Sequence, residues 1–332
     1  MPGDIVLRVN DLYTHFVTPH GVVKAVNGVS FAVRARQVLG VVGESGCGKS
    51  VMALSLLGMV EPPGKIVSGE VWLNGVNLLA LSKEQLRQVR GKEIALVFQD
   101  PMTSLNPVLT IGTQITETIL AHRAVSKAKA RQRALELLAK VGLPHPEKLF
   151  HRYPFQLSGG QRQRVMMAIG LSLNPKVLIA DEPTTALDVT VQAQILEELT
   201  RLKSAFNTGI ILITHDLGIV AEMADDVAVM YAGSIVEYGP VLDIFENPGH
   251  PYTVALLHSI PRLGKDGKVL EPIRGQPPSL LDLPDRCAFR PRCPQAGRKC
   301  TGRKPFLKAV APGHYVACHY AAGGRPAEVG LV

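Results

Sequence analysis

At 332 residues the chain is long enough to bury one large core and leave material for a small second module. A hydrophobic fraction of 46% with 19% charged residues is that of a globular protein and excludes wholesale disorder and fibrous repeats. The formal net charge of +8 includes no run of five basic residues, so it reads as dispersed solubility charge and not as a nucleic-acid surface.

The first residues, MPGDIVLRVN, carry an early acid and lack the apolar segment of a signal peptide. Ile5, Leu7 and Val9 alternate with polar residues, and the pattern returns between Val23 and Val33. This predicts antiparallel strands with turns at Pro19-His20-Gly21 and Asn27-Gly28. Val38-Leu39-Gly40-Val41-Val42 reads as a buried strand, and the residues after Ser50 as a helix. VMALSLLGMV, from Val51, is about half the length of a bilayer span, so the chain is expected to be soluble and cytoplasmic.

From about residue 101 to 160 the pattern turns helical. Ser126 is placed to cap a helix carrying Ala130, Ala134, Leu138 and Val141 at helical spacing, with Gly142 at its end. Strands are expected again at 177–180, 210–214, 227–231 and 234–237. Beyond His250 proline becomes frequent and no long periodic segment occurs, which predicts a loop-rich appendage over 251–332.

Gly43-Glu44-Ser45-Gly46-Cys47-Gly48-Lys49-Ser50 fits G-x-x-x-x-G-K-[ST] between a predicted strand and a predicted helix. Glycines let successive backbone N–H groups and the helix N-terminus face a phosphate. Lys49 supplies charge at the β and γ phosphates, and the Ser50 hydroxyl reaches Mg²⁺. Cys47 reads as a small loop residue. Val177-Leu178-Ile179-Ala180-Asp181-Glu182 delivers two acids at the end of a buried strand. Asp181 is expected to hold the metal and Glu182 to act as general base toward the attacking water.

Leu157-Ser158-Gly159-Gly160-Gln161 begins a second glycine turn before a helical segment, a second anion seat to which Ser158 adds a hydroxyl. LSGGQRQR between a phosphate loop and a strand ending in Asp-Glu resembles the signature of the ABC ATPases. The family's other motifs follow in order over residues 5 to about 245. Gln99 matches the Q-loop glutamine, Thr185-Ala186-Leu187-Asp188 the D-loop, and His215 the switch histidine. Phe16 resembles the aromatic that stacks on adenine, with Tyr13 as the alternative. Read alone, Asp188 is also a candidate helix cap.

The resemblance implies an α/β fold. It comprises a P-loop nucleotide-binding domain over 1–250 with an antiparallel β subdomain and a helical insertion at about 101–160, followed by a metal-binding extension over 251–332. It further implies a head-to-tail dimer in which each ATP lies between one subunit's phosphate loop and the other's signature turn. Gln99 would touch Mg²⁺ or the attacking water, and His215 the γ-phosphate. Gln99-Asp100-Pro101-Met102-Thr103-Ser104-Leu105-Asn106-Pro107 and Ile273-Arg274-Gly275-Gln276-Pro277-Pro278-Ser279-Leu280 look like segments of the subunits serving oligopeptide, dipeptide and nickel importers. That narrower resemblance implies a peripheral ATPase on the cytoplasmic face of the membrane. Its implied partners are two separate permease subunits, a second and different ATPase and, indirectly, an extracytoplasmic solute-binding protein. A soluble ABC ATPase acting on the ribosome or on DNA is the competing class. Such proteins commonly carry tandem cassettes or long insertions, which this chain lacks.

Cys287, Cys293, Cys300 and Cys318 provide four thiols in the tail. Clustered thiols in a cytosolic chain argue for a metal before disulfides, and four suit either zinc or a [4Fe–4S] cluster. No C-x2–4-C pair occurs, and the resemblance favours the iron–sulfur cluster, with Zn²⁺ as the alternative. Arg290, Arg292 and Arg298 interleave with the thiols, placed either to offset thiolate charge or to be solvated.

Overall fold

Alternating apolar residues at the start of the chain fold as a long hairpin, β1 (Ile5–Thr18) and β2 (Gly21–Arg34), turning at Pro19-His20. The computed structural model describes residues 4–184, 188–259 and 272–321. Leu7, Val9, Leu12, Val26, Val29 and Phe31 form the buried face of the hairpin. The turn expected at Asn27-Gly28 is instead interior to β2. Gly28 takes φ +74°, and its missing Cβ leaves room for the Tyr13 hydroxyl, so the glycine serves a local irregularity and not a reversal. The strand β3 (Val38–Val42) is buried at every position, and α1 (Lys49–Leu56) follows the glycine loop.

In chain order come β4 (Gly64–Leu73), β5 (Val76–Asn77), α2 (Lys83–Val89), β6 (Ile94–Val97) and the helices α3 (Pro101–Ser104), α4 (Ile111–His122), α5 (Lys127–Lys140), α6 (Pro146–Phe150) and α7 (Gly159–Gly170). Then follow β7 (Val177–Asp181), α8 (Val189–Phe206), β8 (Gly209–Ile213), α9 (Leu217–Met223), β9 (Asp226–Tyr231), β10 (Ser234–Pro240) and α10 (Val241–Glu246). The last elements are α11 (Pro251–His258), β11 (Lys308–Ala311) and β12 (His314–Val316).

The described residues divide into two units. The first comprises 4–6, 34–37, 81–184 and 188–213. Its strands β6, β7 and β8 are parallel, with Ile94 opposite Val177 and Val177 opposite Gly209. β7 and β8 are buried throughout, the mark of parallel strands covered on both faces. Helix α5 begins where Ser126 accepts a hydrogen bond from Lys129 N–H and ends at Gly142 with φ +70°. Its buried stripe of Ala130, Ala134, Leu137 and Leu138 packs toward α4, α6 and α7, each leucine contributing roughly 2 kcal/mol.

The second unit comprises 7–33, 38–80, 214–259 and 272–321. One antiparallel sheet runs in the order β2-β1-β4-β5. Elsewhere β3 pairs in parallel with β9, from Leu39 opposite Asp226 to Val42 opposite Val229, and β9, β10, β12 and β11 continue antiparallel. The proline-rich tail therefore contains regular structure that its sequence does not announce. β11 and β12 are too short for alternation to register, and they exist because the edge of β10 offers unpaired backbone groups. Tyr231, Tyr252 and Phe289 add a buried aromatic cluster with ring centroids 4.5 to 5.5 Å apart.

Candidate functional site

The phosphate loop lies in the second unit, between β3 and α1. Gly43 has φ +153° and Gly48 φ +104°, and a Cβ at either would run into a backbone oxygen, that of Met230 or Ala25. Only glycine fits these two positions. Lys49 is 6% exposed, and its Nζ donates to the carbonyls of Gly43 at 2.8 Å and Glu44 at 3.1 Å, which centres its charge on the loop. No side chain caps α1, whose first turn contains no acid, so the helix N-terminus with Ser50 leaves its donors for an anion. Ser45 and Gly46 stand on the exposed rim of the loop. Cys47 is buried, and burial pushes its thiol up against the opposing pull of Lys49, in keeping with a small packing residue.

The acid pair lies in the first unit. Asp181 ends β7 and is 7% exposed, while Glu182 turns out of the strand with φ +47° and donates its N–H to Ile213 O at 2.8 Å. A left-handed glutamate is strained backbone of the kind that collects at working sites. Gln99, two residues beyond β6, donates from Nε2 to Glu182 Oε2 at 2.9 Å. The fold thus joins two candidates 83 residues apart. In the second unit, exposed His215 follows Thr214, whose N–H donates to Val41 O at 3.2 Å. Asp216 then caps α9 by accepting from Gly218 N–H at 2.8 Å.

Gly159, Gly160 and Gln161 open α7 in the first unit, and Ser158 is its N-cap. The Ser158 hydroxyl accepts from Gln161 N–H at 3.3 Å, while Gln161 Oε1 accepts from Ser158 N–H at 3.1 Å. This reciprocal capping box commits both side chains to their own helix. Asp188 likewise accepts from Val191 N–H at 3.0 Å and caps α8. Thr185-Ala186-Leu187 lies outside the described residues.

On β1, Thr14 and Phe16 share one face and Tyr13 the other. Thr14 Oγ1 and Ser55 Oγ on α1 are 2.7 Å apart, so the face carrying Phe16 is the one turned to the helix of the phosphate loop. Tyr13 packs over Gly28 instead, and burial, then Asp11 and Asp285, raise its phenol.

The C-terminal region reaches the phosphate loop. Arg292, with a side chain 4% exposed, forms a fork on the Glu44 carboxylate, Nη1 to Oε2 at 2.6 Å and Nη2 to Oε1 at 2.9 Å. It therefore neutralises Glu44, not the neighbouring thiols beside which its sequence position sets it. Tyr252 OH accepts the Glu44 N–H at 2.9 Å. Neither partner of Glu44 was legible in the sequence, because each is more than 200 residues from it.

Cys287, Cys293, Cys300 and Cys318 are free thiols lining one small cavity with His250 and His319. Burial raises the thiols of Cys287 and Cys293, and neighbouring cysteines add to the shift. The donor chemistry suits a thiolate-bound metal or cluster. Among the described residues, however, no group of three or more His, Cys, Asp or Glu is gathered closely enough to hold a metal ion. Among them, too, no helix is long and apolar enough to cross a membrane.

The family model described as ABC transporter matches residues 26–185, and that described as oligopeptide/dipeptide transporter, C-terminal region matches 236–300. The oligopeptide transport ATP-binding protein OppD of Salmonella typhimurium is 49% identical over 96% of this chain and 94% of its own length. The dipeptide transport ATP-binding protein DppD of Escherichia coli is 46% identical over 96% and 98%. Among solved structures, the ATP-binding cassette MJ0796 bound to ADP and Pi, a dimer in a post-hydrolysis state, superposes with a TM-score of 0.64. It is 26% identical and covers 71% of this chain and 98% of its own. With its glycine loop, acid pair and signature turn in place, the chain belongs to the ABC transporter family, as an ATP-binding subunit with an oligopeptide/dipeptide-type C-terminal region.

Proposed function

We propose that this chain hydrolyses ATP to energise a binding-protein-dependent importer of di- or oligopeptides. The observation that carries the reading is the hydrogen bond from Gln99 to Glu182, which presents one carboxylate at the end of β7 in a chain that also carries a complete phosphate loop. Relatives named for oligopeptide or dipeptide transport, 46 to 50% identical over at least 94% of the chain, support the substrate class.

Lys49 and the α1 N-terminus bind the triphosphate. Ser50, Asp181 and Gln99 are the residues to hold Mg²⁺, which, when bound, neutralises charge on the β and γ phosphates. Glu182 takes a proton from water as its oxygen attacks the γ-phosphorus. The bond to the bridging oxygen breaks, and ADP departs with that electron pair. Gln99 orients the Glu182 carboxylate, and His215 contacts the γ-phosphate. Phe16 stacks on adenine, supported over Tyr13 by its place on the face turned toward α1.

Ser158, Gln161 and Asp188, by capping their helices, hold the turn that presents Gly159 and Gly160 to the ATP of a second subunit in a head-to-tail dimer, that subunit being a different ATPase. The dimer docks on two permease subunits at the cytoplasmic face of the membrane, and the solute-binding protein acts from the other side. In the 251–332 extension, Cys287, Cys293, Cys300 and Cys318 would be the residues to hold a [4Fe–4S] cluster, or Zn²⁺, in a structural role, on drawing together more closely than they stand around their cavity here. Their shared cavity supports this reading.

Affinity purification of the chain from its native membrane tests the proposal. Co-purification of two multi-span proteins, a second ATPase and a solute-binding protein is expected, while ribosomal or DNA-associated partners would overturn the transport reading. Stoichiometric iron or zinc is expected in the purified chain, and neither metal would end the cysteine assignment.

A further inference from the structure

Glu44 stands inside a loop built to admit a polyanion, and a carboxylate there opposes the ligand unless something cancels it. Every polar part of the residue is held. Its N–H donates to Tyr252 OH at 2.9 Å, its carbonyl accepts from Lys49 Nζ at 3.1 Å, and its carboxylate lies in the fork of Arg292. Arg292 is itself fixed, since Nε donates to Arg274 O at 2.9 Å and Nη1 to Tyr231 OH at 3.3 Å. Its guanidinium also lies 5.8 Å from the Tyr231 ring centroid and 6.0 Å from that of Phe289. Tyr231, Tyr252 and Phe289 pack together, so both anchors of Glu44 belong to one buried cluster.

We propose that Arg292 and Tyr252 are positioning residues of the nucleotide site. Through them the C-terminal region sets the shape of the phosphate loop and removes the charge of Glu44. The inference rests on the phosphate loop being a nucleotide seat, as argued above. A bidentate guanidinium fits the carboxylate better than an ammonium would, and the side chain is withdrawn from water, so the neutralisation is little screened by salt. The extension is thereby a working part of the ATP site, whatever its thiols bind.

The test is equilibrium binding of Mg-AMP-PNP to the full chain, with melting temperature recorded alongside. Arg292→Ala is expected to weaken binding roughly tenfold, within the range typical of coupled sites. Glu44→Gln combined with Arg292→Ala is expected to restore most of the affinity, because the uncompensated charge is gone. A merely structural Arg292 predicts no such rescue. Tyr252→Phe keeps the ring packing, removes only the acceptor of the Glu44 N–H, and is expected to weaken binding severalfold with only a small fall in melting temperature. Unaltered affinity in Arg292→Ala, or a double variant no better than the single one, would overturn the proposal while leaving the ATPase reading intact. Failure of the unmodified chain to bind Mg-AMP-PNP would overturn both.

Discussion

The phosphate loop and the signature turn are both glycine turns that open a helix, yet they treat their backbone donors in opposite ways. Gly48 caps α1 in a left-handed conformation with no side-chain hydrogen bond, and the loop is braced from outside by Tyr252 and Arg292. Ser158 caps α7 through a reciprocal box with Gln161 and needs no such brace. An open cap is a poor helix start and a good anion seat. A closed cap is a good helix start that contributes to a ligand only through what remains exposed, here Gly159 and its neighbours. This contrast accords with the proposed roles, in which the first turn binds nucleotide within this chain and the second completes a site on another subunit.

The largest expected effect breaks the chemistry and leaves both turns untouched. Glu182→Gln should lower kcat about a thousandfold while the nucleotide still binds, because the proposed general base is lost and the phosphate loop is not. Steady-state ATPase assays with size-exclusion chromatography check this, and an ATP-dependent dimer should accumulate. Normal turnover would remove Glu182 from its role.

The brace beneath the phosphate loop gives the next effect, in stability. His250 Nδ1 accepts Tyr252 N–H at 3.0 Å, and burial holds the imidazole down to about 4, although Glu237 pulls the other way. Between about 6.5 and about 4 the unfolded chain binds a proton that the folded chain refuses, so stability rises with pH across that window and is lost as pH falls through it. The loss should reach on the order of 3 kcal/mol. Melting at pH 7 and pH 4.5 reads it, and His250→Asn should flatten the slope.

Lys49→Ala sharpens the contrast between the turns. It should weaken ATP binding by the isolated chain roughly a hundredfold through loss of a charge-assisted contact. Ser158→Ala should leave that affinity unchanged, cost about 1 kcal/mol of stability through the lost cap, and lower ATPase activity only in the dimer. Equal damage to monomer binding by both variants would show that the turns do not divide their labour in this way.

Much of the fold was legible where chemistry and conformation coincide. Gly43 and Gly48 had to be glycine, and β3, β7 and β8 had to be apolar because parallel strands are covered on both faces. The predicted turn at Asn27-Gly28 failed because a positive φ serves an irregular strand as well as a reversal. The tail read as loops because β11 and β12, of four and three residues, take their conformation from β10 and not from their own pattern. Ser158 and Gln161 were legible as a helix start, but not the reciprocity that turns their side chains inward.

The sequence by itself determined the ATP-binding motifs, their order and the family, because a phosphate loop fixes residue types within a few neighbouring positions. Only the tertiary structure decided which distant groups meet. It joined Gln99 to Glu182, set Phe16 on the face toward α1, gathered four thiols around one cavity, and delivered Arg292 and Tyr252 to Glu44. Such pairings span tens to hundreds of residues, and they depend on sheet register and buried packing, which no local pattern encodes.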